Sequence, residues 1–319
     1  MKTSTVLGIV LAVLFSFAGA ATAAGYLWAR ADDDRHAMTR ALPATWPSKD
    51  GTALRPVPMP AGELIAALPP DTAGQVLCQS LSQERWEALL GGKALREVRD
   101  AGCHVVTSTT DLTLKLADAP ANLQAPRETE VAGRPARLEF LPPNVNNRLD
   151  VRLVDKPGSA LVKPFLHAEL SGSGPALDRL TESVAAEVVA ATTKAGPPLP
   201  ATGKDGSIPL EHPAPAAIAD LPWPVISWQL CAALTRELGG PGRPYADGRC
   251  TVRGIQAAYT DAVSPRAFSD RLAGRPALVT DNVVAVKLTD DTAQELTFTG
   301  GGRSLKALAE ALLPHLLAG

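Results

Sequence analysis

From Thr5 to Trp28 the chain carries no charged residue, and Val6 to Phe15 is apolar throughout apart from Gly8. A helix over this stretch would be about 36 Å long at 1.5 Å per residue, enough to cross the hydrocarbon core of a bilayer. Lys2 precedes it, Arg30, Asp32, Asp33, Asp34 and Arg35 come after it, and Tyr26 and Trp28 fall where an outer interface would lie. The pattern predicts a transmembrane anchor over residues 1–29 with the rest of the chain extracytoplasmic. A cleaved signal peptide is the competing reading, because Ala21-Thr22-Ala23 is an acceptable small-x-small site. The apolar run exceeds the ~7–15 residues of a signal h-region, which favours the anchor; both readings export the remainder of the chain.

After the anchor, periodicity disappears. Residues 30–66 are polar and then proline-rich, with Pro43, Pro47, Pro56, Pro58 and Pro60, and read as a stalk. A second such stretch at 196–224 holds Pro197, Pro198, Pro200, Pro209, Pro213, Pro215, Pro222 and Pro224 and reads as a linker. These two stretches delimit a first domain at 67–195 and a second at 225–319.

Within the first domain, Val76, Leu77, Cys78 and Leu81 form an apolar helical turn. Ser82 is placed to cap a second helix that Gly91-Gly92 ends, with Glu84 near its positive end. Strands are expected at Cys103–Ser108, at the alternating Leu112, Leu114, Leu116, and at 137–141, 150–155 and 165–170. Leu177, Leu180, Val184 and Val188 then recur at helical spacing. The second domain replays the order: a Ser227-capped helix with Leu230, Cys231, Leu234 and Leu238, a Gly239-Gly240 stop, strands at 250–255, from Tyr259, at 277–280 and at 283–288, a segment at 294–300 that corresponds to 167–173, and a last helix through Leu305, Leu308, Leu312 and Leu316 whose last turn Pro314 should kink or weaken. Ala-Gly-Arg-Pro-Ala occurs in both, at 132–136 and 273–277. The expected architecture is α+β: two tandem homologous domains, each an antiparallel sheet packed against helices.

Composition narrows the function classes. Net charge is −2, which supplies no basic field for nucleic acid. Aromatic residues make up 4%, which weakens a carbohydrate-stacking reading. Four cysteines in an exported chain, two per repeat at equivalent places, predict the disulfides Cys78–Cys103 and Cys231–Cys250. Free, redox-active or metal-bound cysteines are the alternatives, but there is no Cys-x-x-Cys and no paired histidine spacing. His104 beside Cys103 is a candidate ligand whose counterpart is Thr251, which favours a structural strand histidine. Asp32-Asp33-Asp34 reads as a solvated flank, and Trp223 and Trp228 as residues that dock the two domains.

Catalytic patterns are weak. No Gly-x-Ser-x-Gly string occurs, and Ser171-Gly172-Ser173-Gly174 lacks that arrangement. Gly300, Gly301, Gly302 and Arg303 at the start of the last helix form a candidate anion-binding turn, although a tight strand-to-helix turn is the plainer account. No cofactor is indicated.

The set Cys78, Ser82-Gln83-Glu84-Arg85, Leu90-Gly91 and Cys103, and less fully Cys231, Leu238-Gly239 and Cys250, resembles an actinobacterial family of exported domains of unknown function found as lipoproteins and membrane-anchored ectodomains. The chain departs from the lipoprotein members in lacking an N-terminal lipid-bearing cysteine, and the resemblance implies fold and location but no activity. The expectation is a single-pass cell-membrane protein with extracytoplasmic domains, non-enzymatic, that binds or scaffolds an envelope protein or cell-wall component, with a groove between the repeats as one place to do so. A hydrolase with a dispersed catalytic set and a small-ligand sensor module are the alternatives.

Overall fold

The computed structural model describes residue 42 and residues 45–318, apart from 142–145, 156–160, 173–175, 263, 290–291 and 302–303. The expected anchor and Asp32-Asp33-Asp34 lie outside the described residues. No helix among the described residues is long and apolar enough to cross a membrane.

The chain folds into two antiparallel sheets of seven strands each, with helices against them. In the first half, a 3-10 turn (Gly62–Ala67), α1 (Pro70–Gln79) and α2 (Gln83–Leu90) lead into β1 (Leu95–Arg99), β2 (Gly102–Val106), β3 (Thr110–Ala117), β4 (Arg127–Val131), β5 (Arg134–Leu141), β6 (Asn146–Arg152) and β7 (Phe165–Gly172), and α3 (Leu177–Thr192) closes the unit. The second half runs α4 (Trp223–Leu238), β8 (Arg243–Pro244), β9 (Arg249–Val252), β10 (Ile255–Thr260), β11 (Asp270–Leu272), β12 (Arg275–Val279), β13 (Val283–Lys287), β14 (Glu295–Thr299) and α5 (Leu305–Leu317). The strand orders are β1-β2-β3-β7-β6-β5-β4 and β8-β9-β10-β14-β13-β12-β11, so the topology of one sheet is that of the other.

Local sequence explains the joints. Ser82 caps α2 by accepting the Arg85 N–H, and Gly91 ends it in the left-handed conformation. Each Ala-Gly-Arg-Pro-Ala string contains a two-residue hairpin turn: Ala132-Gly133 between β4 and β5, and Ala273-Gly274 between β11 and β12, all four at positive φ. Two successive positive φ values match the right-handed twist of the flanking strands, and glycine takes the second at little cost. The first core gathers Leu112, Leu114, Leu138, Leu149, Leu166 and Leu170 from the sheet with Val76, Leu77, Val184 and Val188 from α1 and α3. The second gathers Val252, Ala257, Val284, Leu296 and Phe298 with Leu230, Leu234, Leu308 and Leu312.

Several expectations are corrected. Ser227 does not cap a helix: α4 starts at Trp223, and the Ser227 hydroxyl lies inside it, within donating distance of the Trp223 carbonyl at 3.1 Å and of the Tyr245 carbonyl. Pro222 holds the N-cap position instead, and Pro224 lies in the first turn, where a missing N–H costs no intrahelical bond. Four strands, β1, β4, β8 and β11, lie outside the expected set, and the strand expected from Tyr259 is the end of β10.

Neither described part of the proline-rich stretches stands free of the sheets. Thr52 forms an antiparallel bridge to Val98 of β1, Trp46 Nε1 donates to the Arg96 carbonyl at 2.9 Å, and Ser48 donates to Glu97. The stretch at 196–224 does the same for the other sheet, with Ser207 bridged to Tyr245 beside β8 and Trp228 Nε1 donating to the Pro209 carbonyl at 2.8 Å. These straps hold by backbone bridges and single side chains, which leave no hydrophobic period in the sequence.

Candidate functional site

Counting from the cysteines, Ile65-Ala66-Ala67-Leu68-Pro69 before α1 matches Ile218-Ala219-Asp220-Leu221-Pro222 before α4. Pairing extends the match to the strands: Cys103 lies opposite Leu114, Cys250 lies opposite Ala257, and four residues further along come Asp118 and Asp261. Asp118 and Asp261 therefore hold equivalent places at the ends of β3 and β10. The two halves meet at these same parts, helix start and strand end, in the reciprocal manner of a two-fold contact.

One side of that contact is closed. Asp261 accepts the backbone N–H of Asp71 at 2.9 Å, capping α1 from the other half, where the helix has no side-chain cap of its own. Asp220 accepts from Thr72 Oγ1 at 3.0 Å, from Gln294 Nε2 at 2.8 Å and from Arg55. Arg55 also reaches Asp71 at 2.6 Å, and its main chain is held by Gln75 and Gln79. Burial pushes the Asp261 carboxyl from its ordinary 3.8 up to about 6, against the pull of the Asp71 N–H.

The other side is open. At the position equivalent to Asp71 the second half has Pro224, which has no N–H to donate, and Trp223 stands where the first half has Pro70. A cleft of about 490 Å³ lies there, bounded by Pro70, Lys115, Asp118, Lys163, His167 and Trp223. Its size is that of a small-molecule site.

Each polar group of the cleft is held by its own element. Lys115 and His167 are cross-strand neighbours on the outer face of the first sheet, and Asp150 lies next to His167 on β6. His167 Nε2 sits 3.0 Å from the Ala119 carbonyl and 3.3 Å from Asp150 Oδ1, so these acceptors assign the proton to Nε2. Nδ1 is then an acceptor, without a hydrogen-bond partner among the described residues. Asp150 is buried, which raises its pKa despite the imidazole beside it, and its Oδ2 accepts the Ala121 N–H at 2.8 Å. Lys163 is pinned by its backbone N–H to the Ala66 carbonyl at 2.7 Å. Its ammonium has no ion-pair or hydrogen-bond partner among the described residues, and burial lowers its pKa, with the field of Asp261 acting in the opposite direction. Trp223 rests edge-on against Tyr259, centroids 5.6 Å apart. A Cβ on Gly248 would come within 2.4 Å of that indole, so glycine is required there for the ring to keep its seat.

Elsewhere, the sequence candidates are structural. Cys78–Cys103 ties α1 to β2, and Cys231–Cys250 ties α4 to β9, with Cα separations of 5.0 and 5.3 Å and all four residues buried. His104 is buried between carboxylates, Nδ1 3.2 Å from Glu97 and Nε2 2.8 Å from Asp111, under a stacked Trp46. No cluster of three or more metal-ligating side chains occurs among the described residues. Gly300 and Gly301 come directly after β14, and Gly302 and Arg303 of the candidate turn lie outside the described residues. Trp223 does line the junction of the halves, whereas Trp228 is buried with Ile208 and Ala246 and fastens the strap. Lys115, Asp118, Lys163 and His167 are not among the sequence candidates: alternation in β3 points Lys115 outward, but nothing in the sequence brings it to Trp223. No family model, curated protein or solved structure matches the chain.

Proposed function

We propose that the chain is a membrane-anchored extracytoplasmic binding protein, built from two tandem copies of one α+β domain, that recognises an envelope component in the cleft between the copies. The observation that carries this reading is the uneven contact of the halves: equivalent parts close on each other around Asp261 and Asp71 and leave a polar-lined cleft at Asp118 and Trp223. The two disulfides support an oxidising compartment, and the likeness to exported actinobacterial domains supports the same location. A photo-crosslinking residue at Trp223 in intact cells should yield a discrete adduct that one at the exposed Glu310 does not. Equal labelling from both positions would reject the cleft as the recognition surface.

The Asp150–His167 pair favours a second reading, a hydrolase, because a buried carboxylate orienting an imidazole is half of a nucleophile-activating set. Among the described residues no Ser, Thr or Cys side chain hydrogen-bonds to His167. Turnover of ester or phosphoester substrates that is lost in His167→Ala would establish the enzyme in place of the binding protein.

A further inference from the structure

Taking the cleft as the recognition surface, we infer that its ligand carries an anionic head group, a phosphate or carboxylate, held by Lys163 and Lys115, with an apolar body lying against Trp223. The Lys163 ammonium is half-buried and makes no ion pair or hydrogen bond among the described residues, and its desolvation outweighs the fields of Asp261 and Asp118. An anion placed against it restores what burial took away. Lys115 adds a second ammonium from β3, and the lining offers one carboxylate, Asp118, against these two cations. The nearby Asp261 carboxylate is engaged with the start of α1. Within the lining the two ammonium groups of Lys115 and Lys163 stand against the single carboxylate of Asp118, and a cationic ligand would meet both ammonium groups.

The rest of the cleft defines the body. Trp223, Pro70 and Leu161 form an apolar wall, and Leu161 is 37% exposed, large for its type. Trp223 is fixed by Tyr259 and by the missing side chain at Gly248, so the wall exists before a ligand arrives. His167 Nδ1, set by the Asp150 contact, is a hydrogen-bond acceptor for a hydroxyl or a singly protonated phosphate beside the ammonium groups.

The test is calorimetric titration of the disulfide-intact chain with three probes: inorganic phosphate, octyl phosphate and octyl glucoside below its micellar concentration. Octyl phosphate should bind at least tenfold more tightly than octyl glucoside. Lys163→Met should weaken octyl phosphate at least tenfold and Lys115→Met about threefold. Lys163→Arg should retain binding, and Lys306→Met on the exposed face of α5 should change nothing. An unaltered unfolding midpoint in Lys163→Met, or the result from Lys115→Met if that midpoint moves, separates loss of the head-group contact from loss of fold. Inorganic phosphate binding as tightly as octyl phosphate would identify a free phosphate as the source of the chemistry; octyl phosphate binding tenfold more tightly would identify an amphiphile such as a lipid. Octyl glucoside binding equally well, indifference to both lysines, or no binding of any probe at millimolar concentration would overturn the inference. The crosslink at Trp223 would survive each of these results, so the anionic head group can fail while the cleft stands.

Discussion

The Asp261 carboxylate of the second half accepts the Asp71 backbone N–H of the first at 2.9 Å, so a helix start in one sheet unit is completed by a side chain from the other. A carboxylate suits the positive end of a helix, yet its burial at this junction favours the protonated form.

The consequence is a pH-dependent stability. The Asp261 pKa is raised from 3.8 to about 6 on folding, so its charge opposes folding above pH 6, and the opposition fades as pH falls towards 4. Asp261→Asn should stabilise the protein at pH 7.5 by up to about 3 kcal/mol, with the gain gone by pH 4, as read from urea unfolding at both values. Destabilisation at both pH values would mean that the charged hydrogen bond to α1 outweighs the burial.

Arg55 bridges Asp71 and Asp220, and its removal leaves two carboxylates at the junction without their shared cation. Arg55→Met should cost about 1–3 kcal/mol, below the ~3–5 kcal/mol of a fully buried pair because the side chain keeps partial solvent access. Differential scanning calorimetry should show the single transition broadening or splitting as the two halves uncouple.

Gly51 lies against the buried Glu97: a Cβ there would fall 2.0 Å from its carboxylate oxygen. Gly51→Ala should lift the strap that covers Glu97 and His104, at about 1–3 kcal/mol. Hydrogen exchange should then accelerate at Thr52 and Val98, the pair that the strap bridges, while β12 and β13 are unaffected.

Each disulfide closes a short loop, of 25 residues for Cys78–Cys103 and 19 for Cys231–Cys250. Replacing either pair by alanines should cost about 3 kcal/mol on the chain-entropy model, and the two losses should be similar in urea unfolding. A much smaller loss in one would show that its reduced, unfolded loop is already compact.

The fold is legible where one residue type has one conformational job. Ser82 and Gly91 bound α2 because capping is a local matter, and the four cysteines mark matching helix and strand positions in both halves. Leu112, Leu114 and Leu116 mark β3 by alternation, whereas β1 and β4 carry charged residues on both faces: Glu97 is buried under the strap, and Arg127, Glu128 and Glu130 lie on a sheet edge. Such strands lack the period that betrays a half-buried one. Ser227 misleads because a serine before an apolar run looks the same whether it caps a helix or bonds back inside one. The cleft is not legible at all, since Lys115, Lys163 and Trp223 are distant in sequence and meet through the packing of two sheets.

The strap over β1 also fixes how load travels along the chain. Counting inwards from the N-terminal side, the docked contacts are Trp46, Ser48, the Thr52 bridge and finally Arg55 between its two carboxylates. A pull from that side must first peel away the contacts to the first sheet, one after another, before tension reaches the junction of the halves. The strap yields before the junction does, so a pull on that side is taken up by the first sheet while the cleft keeps its shape.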